Sequence, residues 1–319
     1  MTSVAFIIPH MGREGLLIDT LNSIVALKVN GITISIVVAS KNESFSDELL
    51  AYKQSLSIVF LPISKQVTIS NQRNMGVQHT QSDYLAFIDA DIALSPNWLS
   101  AMLKVLESPN VVLASAVQKA SEHASELENV RVLLSNLSVD CTMEFLPGRN
   151  LLLSRAIFDQ TGGFPGELVT CEDYVFTQNV GLYGQLYYST AASYVHLGED
   201  KEYLAMAKKE VWRGQSNLAS IKGRHVPLSE YPSFIAPPVF TLGILGFLVA
   251  LLAQYPILAL LSLSGSCGIL ALYTLRLWKK RLEYPSVFAI VAFYTLYFPA
   301  RTIGTVMGAL KTLETGTEK

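Results

Sequence analysis

The chain has 319 residues, half of them hydrophobic and only 16% charged, with a net charge of −2. That composition is more apolar than an ordinary soluble protein, and the lack of a basic excess argues against a nucleic-acid partner. Its three cysteines, Cys141, Cys171 and Cys267, lack metal-ligand spacing and suit a reduced compartment, where they read as packing residues.

Residues 4–9 read as a strand, since the apolar run before Pro9 is too short for an export signal. Residues 16–27 form an amphipathic helix with Leu17, Leu21, Ile24 and Val25 on one side. Strands at 32–39 and 57–61 alternate with helices at 46–54 and 69–78. The most informative stretch follows, Tyr84-Leu-Ala-Phe-Ile-Asp89-Ala-Asp91. It is an apolar run fit for a strand buried on both faces, and it ends in two acids one residue apart. A helix runs from Pro96 to Leu106, then a strand at 111–117 and a helical stripe of Leu127, Val130, Leu134 and Leu137. The alternation predicts an α/β fold with a doubly wound, mostly parallel sheet whose ligands gather beyond the carboxyl ends of the strands. Pro9, Ser40 and Asp89 then share one edge.

No charged residue occurs from 231 to 275, a length that suits two membrane spans of about 20 residues each. They are expected at about 234–254 and 257–277, with the turn at Pro256. A third apolar segment, about 285–310, contains Pro299 and Arg301 and reads as a spanning or an interfacial helix. Lys222 and Arg224 precede the first span, and Arg276, Lys279, Lys280 and Arg281 follow the second. Basic flanks face the cytoplasm, so residues 1–225 are expected there as one domain, anchored to the cytoplasmic membrane by a helical region at 231–312.

Alternate strand residues point to one face, so Asp89 and Asp91 converge, and like charges that close resist joint ionisation without a cation. A hard divalent ion with positions left open for phosphate oxygens suits them. An isolated Asp-x-Asp is also an ordinary solvated turn, so the surrounding chain decides.

With Phe6-Ile-Ile-Pro9, Asn71-Gln-Arg73-Asn74-Met-Gly76, Phe87-Ile-Asp89-Ala-Asp91, Thr161-Gly162-Gly163-Phe164 and Glu172-Asp173 in this order, the chain resembles the family 2 glycosyltransferases of GT-A fold over about its first 220 residues. The resemblance implies a nucleotide-sugar donor and Mg2+ or Mn2+ at Asp91, with Asp89 sharing the ion or meeting the ribose and His196 close by. Pro9, Ser40, Arg73 and Asn74 would meet the nucleotide, although helix packing beside Gly76 is the other role open to Asn74. Gly163 and Phe164 would face the acceptor. Asp173 would be the base of an inverting transfer, with Glu172 as its neighbour. Arg213 would fork onto the diphosphate over an apolar floor at Trp212, and binding of lipid headgroups by that basic segment is a competing role that is compatible with it. The resemblance favours UDP, but the second strand ends Ser40-Lys41-Asn42-Glu43 where the family has aspartates against the base, so GDP stays open.

The expected function is transfer of the sugar to a membrane-associated, lipid-linked acceptor. Transfer to polyprenyl phosphate, which needs no base, is the close alternative. A phosphatase-like hydrolase would want threonine where Ala93 stands, and a catalytically inert membrane scaffold would bind no nucleotide.

Overall fold

The computed structural model describes residues 2–29, 31–221, 226, 228–281 and 284–316; Lys222 and Arg224 lie outside them. In chain order the elements are β1 (Thr2–His10), α1 (Glu14–Val25), β2 (Ile32–Ser40), α2 (Asp47–Ala51), β3 (Ile58–Pro62), α3 (Ile69–Gln78), β4 (Tyr84–Ile88) and β5 (Ile92–Leu94). Then come α4 (Trp98–Leu106), β6 (Val111–Lys119), α5 (Glu126–Ser135), β7 (Cys141–Met143), β8 (Asn150–Ser154), α6 (Arg155–Thr161), α7 (Glu172–Gly181) and β9 (Gln185–His196). Helices complete the chain: α8 (Tyr203–Gly214), α9 (Asn217–Ile221), α10 (Tyr231–Leu252), α11 (Pro256–Trp278) and α12 (Val287–Gly316). They form two compact units, one of residues 1–121 and 138–198, the other of 122–137 and 199–319.

The first unit is an α/β fold built on one sheet of order β3-β2-β1-β4-β8-β6-β9-β5, with β7 added to β9. The parallel set expected from the alternating elements is β3-β2-β1-β4. Beyond it β8 runs antiparallel to β4 and β6, β9 returns parallel to β6, and the short β5 and β7 pair antiparallel with β9, so the sheet is mixed. β1 and β4 are continuously apolar because helices cover both faces. Phe6 and Ile8 pack with Leu17, Leu21 and Trp98 of α1 and α4. Ile7 and Phe87 pack on the other face with Phe158, Phe164 and Phe176. Gly76 lets α3 close on β1, since a Cβ there would sit 2.6 Å from Ile7 Cγ2. This close approach sets Arg73, on the same helix, against the carboxyl end of β4.

The second unit is helical. The α5 stripe buries Leu127 and Val130 with Met206, Phe240, Ile290, Phe293 and Phe298. α10, α11 and α12 are each long and apolar enough to cross a membrane. α10 and α11 form a hairpin that turns just before Pro256, and Ser266 Oγ donates to Phe240 O at 3.1 Å between them. Cys267 is exposed on α11, a correction to its reading as a packing residue, while Cys141 and Cys171 are half-buried.

Candidate functional site

Beyond the carboxyl ends of β1 and β4 lies a cavity of about 210 Å³, lined by Pro9, His10, Met11, Arg13, Asp89 and Asp91 among others. It forms where side chains leave the last rung of the sheet and no strand continues. His10 is buried, with Nδ1 2.9 Å from Ser40 Oγ, which also accepts the Asn42 N–H at 3.1 Å. Burial lowers the His10 pKa, partly offset by the Gly12 backbone and Glu14. Gln72 donates to His10 O at 3.3 Å and Ala39 O at 2.9 Å, joining α3 to the ends of β1 and β2. Ser40 is therefore an interior support for His10, and of the pair only His10 lines the cavity.

The two acids of the Asp-x-Asp face different partners. Asp91 Oδ2 pairs with Arg13 Nη2 at 2.8 Å, and Asp91 Oδ1 lies 3.3 Å from His196 Nε2 at the end of β9. Burial acts to raise the Asp91 pKa, but His196 and Arg13 outweigh it and hold the carboxyl below its ordinary value. The backbone reinforces this corner: Leu197 N–H donates to Asp91 O at 2.8 Å. A Cβ on Gly198 would collide with Asp91 Oδ2, so glycine there leaves the carboxyl its place between Arg13 and His196.

Asp89 pairs instead with Arg73 Nη2 at 3.0 Å, and burial raises its pKa against the pull of that arginine. Arg73 is 2% exposed and holds Glu172 Oε1 through Nη1 at 2.9 Å, with its guanidinium 5.0 Å from the Phe164 ring centroid. Burial and the neighbouring Asp173 raise the Glu172 pKa, while Arg73 opposes them. Asp173 accepts from Gly148 N–H through Oδ2 at 3.0 Å and from Tyr174 N–H through Oδ1 at 2.8 Å. One buried arginine thus joins the Asp-x-Asp strand to the Glu-Asp helix start, as fixed charge pairs in a partly dehydrated corner.

Other expected site residues have different duties. Asn74 Nδ2 donates to Phe164 O at 2.8 Å and Phe164 N–H donates to Asn74 Oδ1 at 2.9 Å, so both polar atoms of the amide are spent on a turn. Gly163 in that turn has φ of 82°, and a Cβ on it would lie 2.8 Å from Asn74 Oδ1. Phe164 is stacked on Phe176 at 3.8 Å in the core, which corrects its reading as an acceptor wall. It backs Arg73 instead. Trp212 and Arg213 belong to α8 in the second unit. Trp212 is exposed, and Arg213 Nη1 pairs with Glu210 at 2.6 Å within a cluster that also holds Arg131 and Arg301. Three arginines outweigh the effect of burial on Glu210 and pull its pKa down to about 2.

Sequence reasoning missed Arg13, His10, Gln72, Gly148 and Gly198. Arg13 had one signal, a glycine and a cation just past a buried strand at the ligand edge. Among the described residues no three His, Cys, Asp or Glu side chains gather closely enough to hold a metal by themselves.

The family model described as Glycosyl transferase family 2 matches residues 5–162. No curated protein matches the chain. Among solved structures, the mannosyltransferase PcManGT from Pyrobaculum calidifontis, in complex with GDP-Man and Mn2+, superposes with a TM-score of 0.69 at 15% identity, covering 95% of this chain and 86% of that one. GalNAc-T7 with UDP, GalNAc and Mn2+ gives a TM-score of 0.49 at 14% identity, covering 73% of this chain and 53% of that one.

Proposed function

Because residues 5–162 form a family 2 glycosyltransferase domain of GT-A fold, we propose that the protein is a metal-dependent inverting transferase acting on a membrane-associated, lipid-linked acceptor at the cytoplasmic face. The observation that carries this reading is Asp91, held ionised between Arg13 and His196 at the mouth of a cavity beyond the sheet's carboxyl edge. A carboxylate and an imidazole suit Mg2+ or Mn2+ when oxygens of a nucleoside diphosphate and water complete the set. Such an ion would neutralise charge developing on the leaving diphosphate. Arg13, exposed except for its bond to Asp91, is free to turn its remaining donors toward phosphate. Pro9 and His10 line the nucleotide side, and the relative solved with GDP-Man keeps GDP beside UDP as a donor base. The apolar hairpin would keep the site near an acceptor that cannot leave the bilayer, with Lys279, Lys280 and Arg281 on the cytoplasmic side.

The direct test is a thermal-shift titration with UDP and GDP, each with and without Mn2+. At a hundredfold excess over Kd a ligand adds about 2.7 kcal/mol to stability. A rise in Tm that needs both nucleotide and Mn2+, and vanishes in Asp91→Asn, is expected; a rise indifferent to metal would refute the reading.

The bonds of Asp173 favour transfer to a polyprenyl phosphate as a second reading. Each of its oxygens already accepts a backbone N–H, which ties the carboxylate to Gly148 and to its own helix start, and a phosphate acceptor arrives as an anion. Asp173→Asn separates the two. Transfer to a hydroxyl should fall by about 10²-fold or more, whereas transfer to a lipid phosphate should persist.

A further inference from the structure

Within the helical unit α8, 12 residues long, packs against the 30-residue α12. Tyr203 Oη donates to Ala289 O at 3.4 Å near one end, and Arg301 Nε meets Glu210 Oε2 at 2.9 Å midway. Just past α8, Asn217 Nδ2 donates to Thr305 Oγ1 at 2.9 Å and Lys311 Nζ to Gln215 Oε1 at 2.7 Å. The backbones touch where glycines meet: a Cβ on Gly214 would lie 3.0 Å from Gly304 Cα, and a Cβ on Gly304 or Gly308 would collide with the carbonyls of Val211 and Gln215. If α12 crossed a bilayer, α8 would be carried into the hydrocarbon beside it.

α8 cannot sit in hydrocarbon. It presents Lys208 to the outside, pairs Lys209 with Asp200 at 2.6 Å, is preceded by exposed Lys201 and Glu202, and carries the glutamate that neutralises Arg301. Had α12 crossed alone, Arg301 would need a partner from another spanning helix; its partner comes from the charged one. On the side of α12 away from α8, the exposed residues Ile303, Val306 and Leu310 recur at helical spacing, with Phe288 on the same side about four turns earlier. A helix with one apolar side and one side bound to charges belongs in the plane of the headgroups.

We propose that α12 rests on the bilayer surface instead of crossing it, its apolar stripe against lipid and the charged α8 on its water side. Only the α10–α11 hairpin then enters the hydrocarbon, and both chain termini lie on one side of the membrane. The proposal rests on the reading of that hairpin as the anchor.

The test uses the full-length chain fused at its carboxyl terminus to green fluorescent protein or to alkaline phosphatase, in bacterial cells, with an amino-terminal epitope to report the other end. The expected result is a fluorescent fusion, an inactive phosphatase and an epitope shielded from protease in intact spheroplasts. An active phosphatase with a shielded epitope would mean that α12 crosses, and would overturn the proposal while sparing the anchor. Release of the chain from membranes by alkaline carbonate would overturn the anchor and this proposal together.

Discussion

Arg73 is the side chain on which the site depends most. It neutralises Asp89 and Glu172 from a position with almost no contact with water. Replacing it by Met leaves two carboxylates without their cation, a change that costs about 3–5 kcal/mol, so the urea midpoint should drop sharply. Arg73→Lys should rescue little, because one ammonium cannot reach along two diverging N–H directions. Gly198→Ala should behave differently, keeping the melting temperature nearly unchanged while Mn2+-dependent nucleotide binding weakens at least tenfold, since its methyl displaces Asp91. Asn74→Ala removes both bonds to the Phe164 backbone and should cost about 1–3 kcal/mol, read by chemical denaturation. Arg73, Asp89, Asp91 and Glu172 were legible in the sequence because each sits in a short pattern tied to an element boundary. His10, Gln72 and Gly148 were not, because what places them is a crossing of chain segments far apart in number, which no local period records. Phe164 misled for a related reason: a phenylalanine after two glycines looks the same whether it lines a pocket or fills a core.

At the scale of elements, α1 to α5 and the parallel strands β1 to β4 were readable from alternation and period, with bounds close to those observed. The antiparallel return of β8 was not, because strand direction is set by which edge remains open once β4 is placed, and five apolar residues carry no arrow. α5 shows the same limit: its stripe announced a buried face but not that the face joins the helical unit. The charge cluster around Glu210 makes a pH prediction. Its carboxyl has an ordinary value of 4.5 and about 2 in the folded chain, so the folded state binds that proton less readily. The stabilisation is complete above pH 4.5 and drains away as pH falls toward 2, on the order of 3 kcal/mol across the window. Glu210→Gln should flatten this acid limb and lower stability at neutral pH, both measurable by denaturant melts across pH.

For the molecule as a whole, the hairpin exposes Leu245, Leu248, Leu252, Leu258 and Leu261 along α10 and α11. Apolar surface of that extent is not tolerated in water, so the chain should be monodisperse in detergent and aggregate on its removal, as size-exclusion chromatography would report. Composition foretold these long apolar helices without difficulty, because hydropathy is a sum and needs no partner. The depth of α12 was beyond such a sum, since it depends on what α8 brings alongside.

The reversal at β8 bears on how such proteins diversify. Because β8 runs against β4, it begins where β4 ends, with Ile88 opposite Asn150 and the Asp89 N–H donating to Arg149 O at 3.0 Å. The stretch at 144–149, between β7 and β8, therefore reaches the chemistry from beyond the end of β4, as a connection pinned by buried Leu146 whose length the β1–β4 register does not constrain. Insertions there could remodel what enters from that direction over evolutionary time while the opposite wall stayed as inherited.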